Sequence, residues 1–375
     1  MGEQPLLTDL RQMQDSMLAV LEDLVMTETP SDDLECVQDG VRLLSRIVNQ
    51  LLGEVPETIE VDGRPHLRLR GGGPRPVLVL CHLDTVWPLG TTKRWPFAVS
   101  DGRATGPGAF DMKAGLVQAL FAVSALRRHD DVTLLVTTDE EIGSPTGRTL
   151  VEDEARRSRA VLVPEPSAAA ALKTSRKGIS LYRLQLQGRA AHAGLEPERG
   201  INALIELVHQ LPRIAALADP SAGTTVTPTT ASAGSTVNTV PAAAEVSIDV
   251  RAATLAEQAR VDAGLNGLSP VLDGASLRLL GGINRPPLER SASAELHALA
   301  GRCAAGLGLE PLREASVGGG SDGNFTAALG VPTLDGLGAV GDHAHAEGEY
   351  VLTAAMPERA ALLSSLVDHL REPQQ

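Results

Sequence analysis

Aromatic side chains are scarce in this 375-residue chain: four Phe, two Trp and two Tyr, or 2% in all. A core must therefore be filled mainly by Leu, Val, Ile and Ala. The scarcity also argues against single-stranded nucleic-acid binding, which stacks bases on exposed rings. An excess of basic residues is missing too, since the formal net charge is −14. Binding a phosphate backbone needs a basic footprint, so no nucleic-acid partner is expected. The three cysteines (Cys36, Cys81, Cys303) are scattered and odd in number, which implies no disulfide framework. No run of roughly 18 apolar residues occurs, and no basic region followed by an apolar stretch opens the chain. The expectation is a cytoplasmic protein with no membrane partner.

The rest of the composition, 43% hydrophobic and 21% charged, is that of a globular protein, and the length suits two domains. Leu7, Leu10, Met13, Met17, Leu21 and Leu24 recur at helical spacing and predict one opening amphipathic helix; a second covers about 33–52. Val77-Leu78-Val79-Leu80 reads as a strand buried on both faces, and similar runs follow at 133–136 and 160–163. A helical pattern from Lys113 to Arg127 separates the first two. This order implies an α/β fold: an open mixed, largely parallel sheet flanked by helices. From Gly178 to about Pro287 the strands alternate cleanly, as in Ala244-Glu245-Val246-Ser247-Ile248-Asp249-Val250, and helical segments lie near 201–216 and 255–265. An α+β domain over 178–287 is thus inserted in a catalytic domain made of 1–177 and 288–375.

Five short blocks carry chemistry. His82-Leu83-Asp84 follows the first buried strand, where open α/β sheets bind ligands. The two-residue spacing puts both side chains on one side of an extended chain, where Asp84 can accept a hydrogen bond from the imidazole and fix its tautomer. A chance pair at a strand end is the plainer explanation. Gly106-Pro107-Gly108-Ala109-Phe110-Asp111 ends a loop before a helix, a place for a ligand or for a simple N-cap. Asp139-Glu140-Glu141 follows another buried strand. One carboxylate there could bind metal and its neighbour act as general base, provided the chain turns at Glu140, which Gly143 allows. Glu165 sits between Pro164 and Pro166, rigid enough for a ligand and equally suited to a plain loop. His343-Ala344-His345 offers one or two further nitrogen donors. Together the blocks place histidines and carboxylates at strand ends of one sheet, enough for two metal ions, with mixed donors favouring zinc and permitting cobalt or manganese.

In this combination and order the blocks closely resemble the zinc-dependent exopeptidases and deacylases that include glutamate carboxypeptidase, acetylornithine deacetylase and succinyl-diaminopimelate desuccinylase. His82-Leu83-Asp84-Thr85-Val86 and Gly106-Pro107-Gly108 are most similar to the glutamate carboxypeptidase branch. The resemblance implies that Asp111 bridges two Zn2+ ions, with His82 and Glu165 completing one and Glu141 and His345 the other. His345 is preferred to His343 because the family's last ligand lies four residues before a Glu, here Glu349. Glu140 matches the general base and Asp84 the residue that orients His82. The family often has an acidic residue after the bridging Asp and commonly a cis peptide there; here Met112 follows.

The inserted domain resembles the family's lid and dimerisation domain. This implies a homodimer in which His192, in Gly188-Arg189-Ala190-Ala191-His192-Ala193-Gly194, reaches the partner's active site and stabilises the oxyanion. A buried structural histidine is the alternative. Asn238, Arg251, Arg285 and Gly320 match positions that contact substrate, a small molecule or short peptide with a free C-terminal carboxylate. Arg176 or Lys177 is available as a second cation for a glutamate side chain. The implied activity is hydrolysis of the amide bond before a C-terminal amino acid, glutamate by branch. An N-acyl-amino-acid deacylase or dipeptidase with another preference is the alternative within the family. From other classes come a serine hydrolase using Ser321 in Gly319-Gly320-Ser321-Asp322-Gly323 with Asp342 and His345, a cysteine nucleophile at Cys81, and a non-catalytic metal-binding homologue.

Overall fold

The computed structural model describes residues 3–371; residues 1–2 and 372–375, at the two ends of the expected catalytic domain, lie outside it. The chain divides into two compact units. The first comprises the segments up to Ser175, Glu289–Val317 and from Ser321 onward; the second comprises Arg176–Leu288 with Gly318–Gly320.

The first unit is built on an eight-stranded mixed sheet. Its strand order is Glu57–Val61, Arg64–Leu69, Val132–Thr137, Val77–His82, Ala160–Val163, Thr333–Asp335, Leu172–Arg176 and Glu314–Val317. The four middle strands run parallel, Val77 pairing with Val132 and Ala160, and Leu334 with Leu162. Arg64–Leu69 and Leu172–Arg176 meet this centre antiparallel. Period-two alternation sends Val77, Val79 and Cys81 into one core and Leu78 and Leu80 into another. The larger core is closed by the helices Leu34–Leu52, Ala114–Ser124, Arg290–Leu307 and Ala355–Arg371, the smaller by Gly147–Arg157 and Gly323–Ala328. Both faces are covered, as a parallel sheet requires. A second small sheet pairs Gly341–Asp342, Tyr350–Leu352, Arg103–Thr105 and Ala98–Ser100 in that order.

The predicted opening helix is two, Glu3–Gln12 and Gln14–Met26. Met13, counted in the apolar stripe, sits at the break and is 42% exposed, while Leu10 and Met17 on either side are buried. Asp33 caps the next helix by accepting the N–H of Cys36. No described helix is long and apolar enough to cross a membrane.

The second unit carries a four-stranded antiparallel sheet in the order Thr225–Ala233, Ala243–Ala252, Gly178–Gln187 and Ser276–Arg285. Tyr182, Leu184, Leu186, Val246, Ile248 and Val250 form its core with the helices Ala203–Ala215 and Leu255–Asn266. Asn202 and Thr254 cap these helices with their side-chain oxygens.

Leu80, on a central strand, is 1% exposed, so truncating it would leave a cavity in the core. Leu80→Ala is expected to lower stability by about 2–5 kcal/mol, measured as the shift of the urea unfolding transition.

Candidate metal centre

Three of the four middle strands lead into candidate donors. His82 is the last residue of Val77–His82, and Glu165 lies two residues beyond Ala160–Val163. After Val132–Thr137 the chain makes one helical turn at Glu140–Ile142, closed by Gly143 at φ +93°, a conformation that glycine adopts without strain. Asp111 comes from the turn after Arg103–Thr105, where the Asp111–Met112 peptide is cis. Gly115 brings the following helix onto the Glu165 segment: a Cβ there would lie 1.8 Å from the Pro164 carbonyl oxygen.

These turns converge. His82 Nε2 lies 3.5 Å from Asp111 Oδ1 and 3.4 Å from Glu165 Oε1. His345 Nε2 lies 3.4 Å from Asp111 Oδ2 and 3.2 Å from Glu141 Oε2. Asp111 thus shows one oxygen to each imidazole. The donor atoms of His82, Asp111 and Glu141 fall within 4.8 Å of one another, as do those of His82, Glu140 and Glu165. His343 instead faces Tyr350, with ring centroids 6.2 Å apart.

The separations suit ligands of a common ion. Two donors about 2.0–2.1 Å from a tetrahedral metal stand about 3.3 Å apart, close to the four distances here. The buried Oε1 of Glu141 has no hydrogen-bond partner among the described residues, a costly state for a carboxylate oxygen unless a cation takes it up. Oxygen and imidazole donors of this kind fit zinc, cobalt or manganese.

Electrostatics follow the same layout. Burial would lower the His82 pKa, but Asp111, Asp84 and Glu165 raise it well above the usual histidine value. Asp111 and Glu141 raise His345 to about 10. Burial works against ionisation of Asp111, yet the two imidazoles hold its carboxyl well below the usual range. Burial raises Glu141, partly offset by His345.

Asp84 is placed differently from the simple imidazole contact expected of it. His82 Nδ1 donates to the Asp84 main-chain carbonyl at 3.0 Å, with the carboxylate oxygen 3.4 Å away. The fully buried carboxylate accepts the Ser31 hydroxyl at 2.7 Å and the N–H groups of Glu140 and Glu141, each at 3.2 Å. It therefore holds the Glu140–Glu141 turn beside His82. The far side of that turn is tied by Asp322, which accepts the hydroxyls of Thr137 and Ser144.

Ser31, Asp322, Lys113 and Glu349 are site-supporting residues that sequence reasoning left without a role. Lys113, 1% exposed, donates to the Leu24 and Thr27 carbonyls at 2.8 and 3.1 Å and so moors the turn after Asp111; burial lowers it to about 7. Glu349, raised by burial to about 8, accepts the Phe110 N–H. Only the position of Glu349, four residues after His345, was visible in sequence.

The remaining predicted residues, His192, Asn238, Arg251, Arg285 and Gly320, all fall in the second unit. His192 is exposed, not a buried structural residue, and its Nδ1 accepts the Gly194 N–H at 3.1 Å. The Ala193 N–H donates to the Asn238 carbonyl, joining these two loops. Arg251 is engaged with Asp249 at 2.8–2.9 Å, and Arg285 donates to Asn284 Oδ1 at 3.3 Å. Arg176, considered as a cation for substrate, is 4% exposed and donates to the carbonyls of Gly319 and Gly320, which makes it a brace for the glycine loop.

The rival nucleophiles are not equipped for the task. Ser321 is fully buried, and its hydroxyl donates to Asp335 Oδ2 at 2.6 Å, not to a histidine. Cys81 packs in the core, and burial pushes its thiol far above the ordinary value.

The model of peptidase family M20/M25/M40 matches residues 78–369. The chain belongs to that family. Carboxypeptidase G2 of Pseudomonas sp. (strain RS-16) is 30% identical over 376 residues, covering 94% of this chain and 89% of that protein. The fold is shared with the M20 metallo-carboxypeptidase Sso-CP2 of Sulfolobus solfataricus (TM-score 0.71, 17% identity, 94% of this chain and 99% of that one). It is shared also with Bacillus subtilis YXEP, described as a dinuclear metal-binding peptidase (TM-score 0.65, 15% identity, 95% and 98%). As an M20 member the chain is a hydrolytic enzyme.

His345 is raised to about 10 before metal binds, His82 is shifted in the same direction, and a ligating imidazole must be neutral. Zinc binding at pH 7 is therefore expected to release protons. Apparent affinity should rise about tenfold per pH unit for each proton displaced until the folded-state pKa is passed. Calorimetry in buffers of different ionisation enthalpy measures the release.

Proposed function

We propose that this M20 enzyme is a two-zinc amidohydrolase that cleaves the amide bond before a C-terminal glutamate of an N-acyl-glutamate or folate-like substrate. The observation that carries the two-metal reading is Asp111, whose two oxygens face His82 and His345 on opposite sides. His82, Asp111 and Glu165 would hold one ion, and Asp111, Glu141 and His345 the other. The relation to carboxypeptidase G2 and the dinuclear centre named for YXEP support this reading. When bound, the ions would polarise the scissile carbonyl and acidify a shared water.

Glu140 is the general base. It is 8% exposed, and its carboxylate stands in the donor group of His82 and Glu165. It takes the proton of the attacking water and returns it to the leaving amine, so it must be ionised at the start and protonated midway. Asp84 keeps it in place through the N–H groups of the turn.

The second unit acts as lid and dimerisation domain, offering His192 to the site of a second copy in a homodimer. With Nδ1 accepting the Gly194 N–H, the neutral ring carries its proton on Nε2. It therefore acts as a donor to the developing oxyanion and not as a base. Arg285 and the Gly320 loop braced by Arg176 receive the substrate carboxylate, with Asn238 and Arg251 beside it in the family pattern. The setting is cytoplasmic.

Amino-acid release from a panel of N-acyl amino acids, with chelation and zinc re-addition, tests the reading. Release that is lost on chelation, restored by zinc and fastest with C-terminal glutamate is expected. Another preference would move the substrate to a deacylase or dipeptidase of the family. Glu140→Gln should retain zinc by metal analysis while kcat falls by about 10²–10⁴; a near-normal rate would remove Glu140 from the base role.

A further inference from the structure

Three of the segments that carry the metal donors meet at the carboxylate of Glu349. The side chain is fully buried. Its Oε1 accepts the N–H of Phe110, the residue before Asp111, at 3.0 Å. Its Oε2 accepts the indole N–H of Trp87 at 3.0 Å, on the segment that runs on from His82 and Asp84. Glu349 itself closes the hairpin whose strands Gly341–Asp342 and Tyr350–Leu352 enclose His345. Sequence separations of 239 and 262 residues are bridged by one side chain.

The small sheet cannot do this alone. Its ladder fixes Tyr350 opposite Thr105 and Val351 opposite Ala104, but the turns holding Asp111 and His345 lie beyond the paired residues. His345 itself sits in a left-handed backbone conformation at φ +62°, in a loop where its side chain is 50% exposed. A buried carboxylate is costly to place, and an amide or apolar residue would be cheaper unless both of its acceptor oxygens were needed. Here each oxygen takes a donor from a different segment. Trp87 stacks edge-on against Trp95, the chain's other tryptophan, with centroids 5.1 Å apart.

We propose that Glu349 is a positioning residue, holding the Asp111 turn and the His345 hairpin in register with the His82 segment, and that Trp87, hydrogen-bonded to it, reports metal occupancy. The proposal rests on the two-zinc reading above. Zinc is titrated into chelator-stripped full-length protein, with uptake read by metal analysis and tryptophan emission followed in parallel. In the wild type, emission is expected to shift in step with uptake.

Glu349→Ala should weaken zinc binding by about 10- to 100-fold and abolish the emission shift. Glu349→Gln keeps an acceptor for Phe110 but turns an amide N–H2 towards the indole. It should recover much of the affinity without the emission shift, which a merely space-filling role for Glu349 would leave intact. Should Glu349→Ala fail to fold, the glutamine variant decides alone: wild-type affinity together with a wild-type emission shift overturns the proposal. Zinc uptake by the wild type with unchanged emission, or wild-type affinity in Glu349→Ala, overturns the role of Glu349 while leaving the metal centre standing. A wild type that takes up no zinc overturns the two-zinc reading itself.

Discussion

Negative charge gathered where water barely reaches is the constraint on which the first unit is built. Asp84, Asp111, Glu140, Glu141 and Glu165 surround two imidazoles, and several of them are buried. Carboxylates so close repel one another and lose hydration, so each must find a positive partner or take up a proton. Asp84 is satisfied by a hydroxyl and two backbone N–H groups. Asp111, Glu141 and Glu165 face imidazole nitrogens at 3.2–3.5 Å, at or beyond the long limit of a hydrogen bond and suited to sharing an ion. The donors are arranged for a cation more than for one another.

The parallel strands make such a gathering possible. Their carboxyl ends lie side by side, so residues far apart in the chain emerge together, and helices on both faces leave the ends as the open edge. Backbone fixes only the starting points. Beyond the strands, position is set by side chains that clasp neighbouring turns: Asp84 and Asp322 on the Glu140 turn, Lys113 after Asp111, and Glu349 between three segments. The geometry of the candidate site is thus held by a shell of hydrogen-bonded buried polar groups, and such shells fix a single arrangement.

Much of this was legible in the chain itself. The buried strands announced themselves as short apolar runs, and the change to strict alternation near Gly178 marked the second unit, because period and burial are local signals. Candidate donors at strand ends could be picked out for the same reason. The supporting shell could not. Ser31 meets Asp84 across 53 residues and Ser144 meets Asp322 across 178, distances over which no local pattern carries information. Arg176 and Arg251 look like free cations in sequence, and only their neighbours reveal that one braces the glycine loop and the other is bound to Asp249. The break at Met13 was equally hidden, since the apolar spacing runs on through it.

The chain order of the central sheet has a consequence for synthesis. Thr333–Asp335 lies between Ala160–Val163 and Leu172–Arg176, yet it is made only after the whole of the second unit, which is nearly continuous over Arg176–Leu288. A nascent chain emerging from its N-terminus can close the antiparallel sheet of the second unit while the parallel sheet still has a gap beside Ala160–Val163. His345 leaves the ribosome later still. The inserted unit is therefore finished before the first one, and a chain stalled before His345 would expose an incomplete core and hold only part of its candidate donor set.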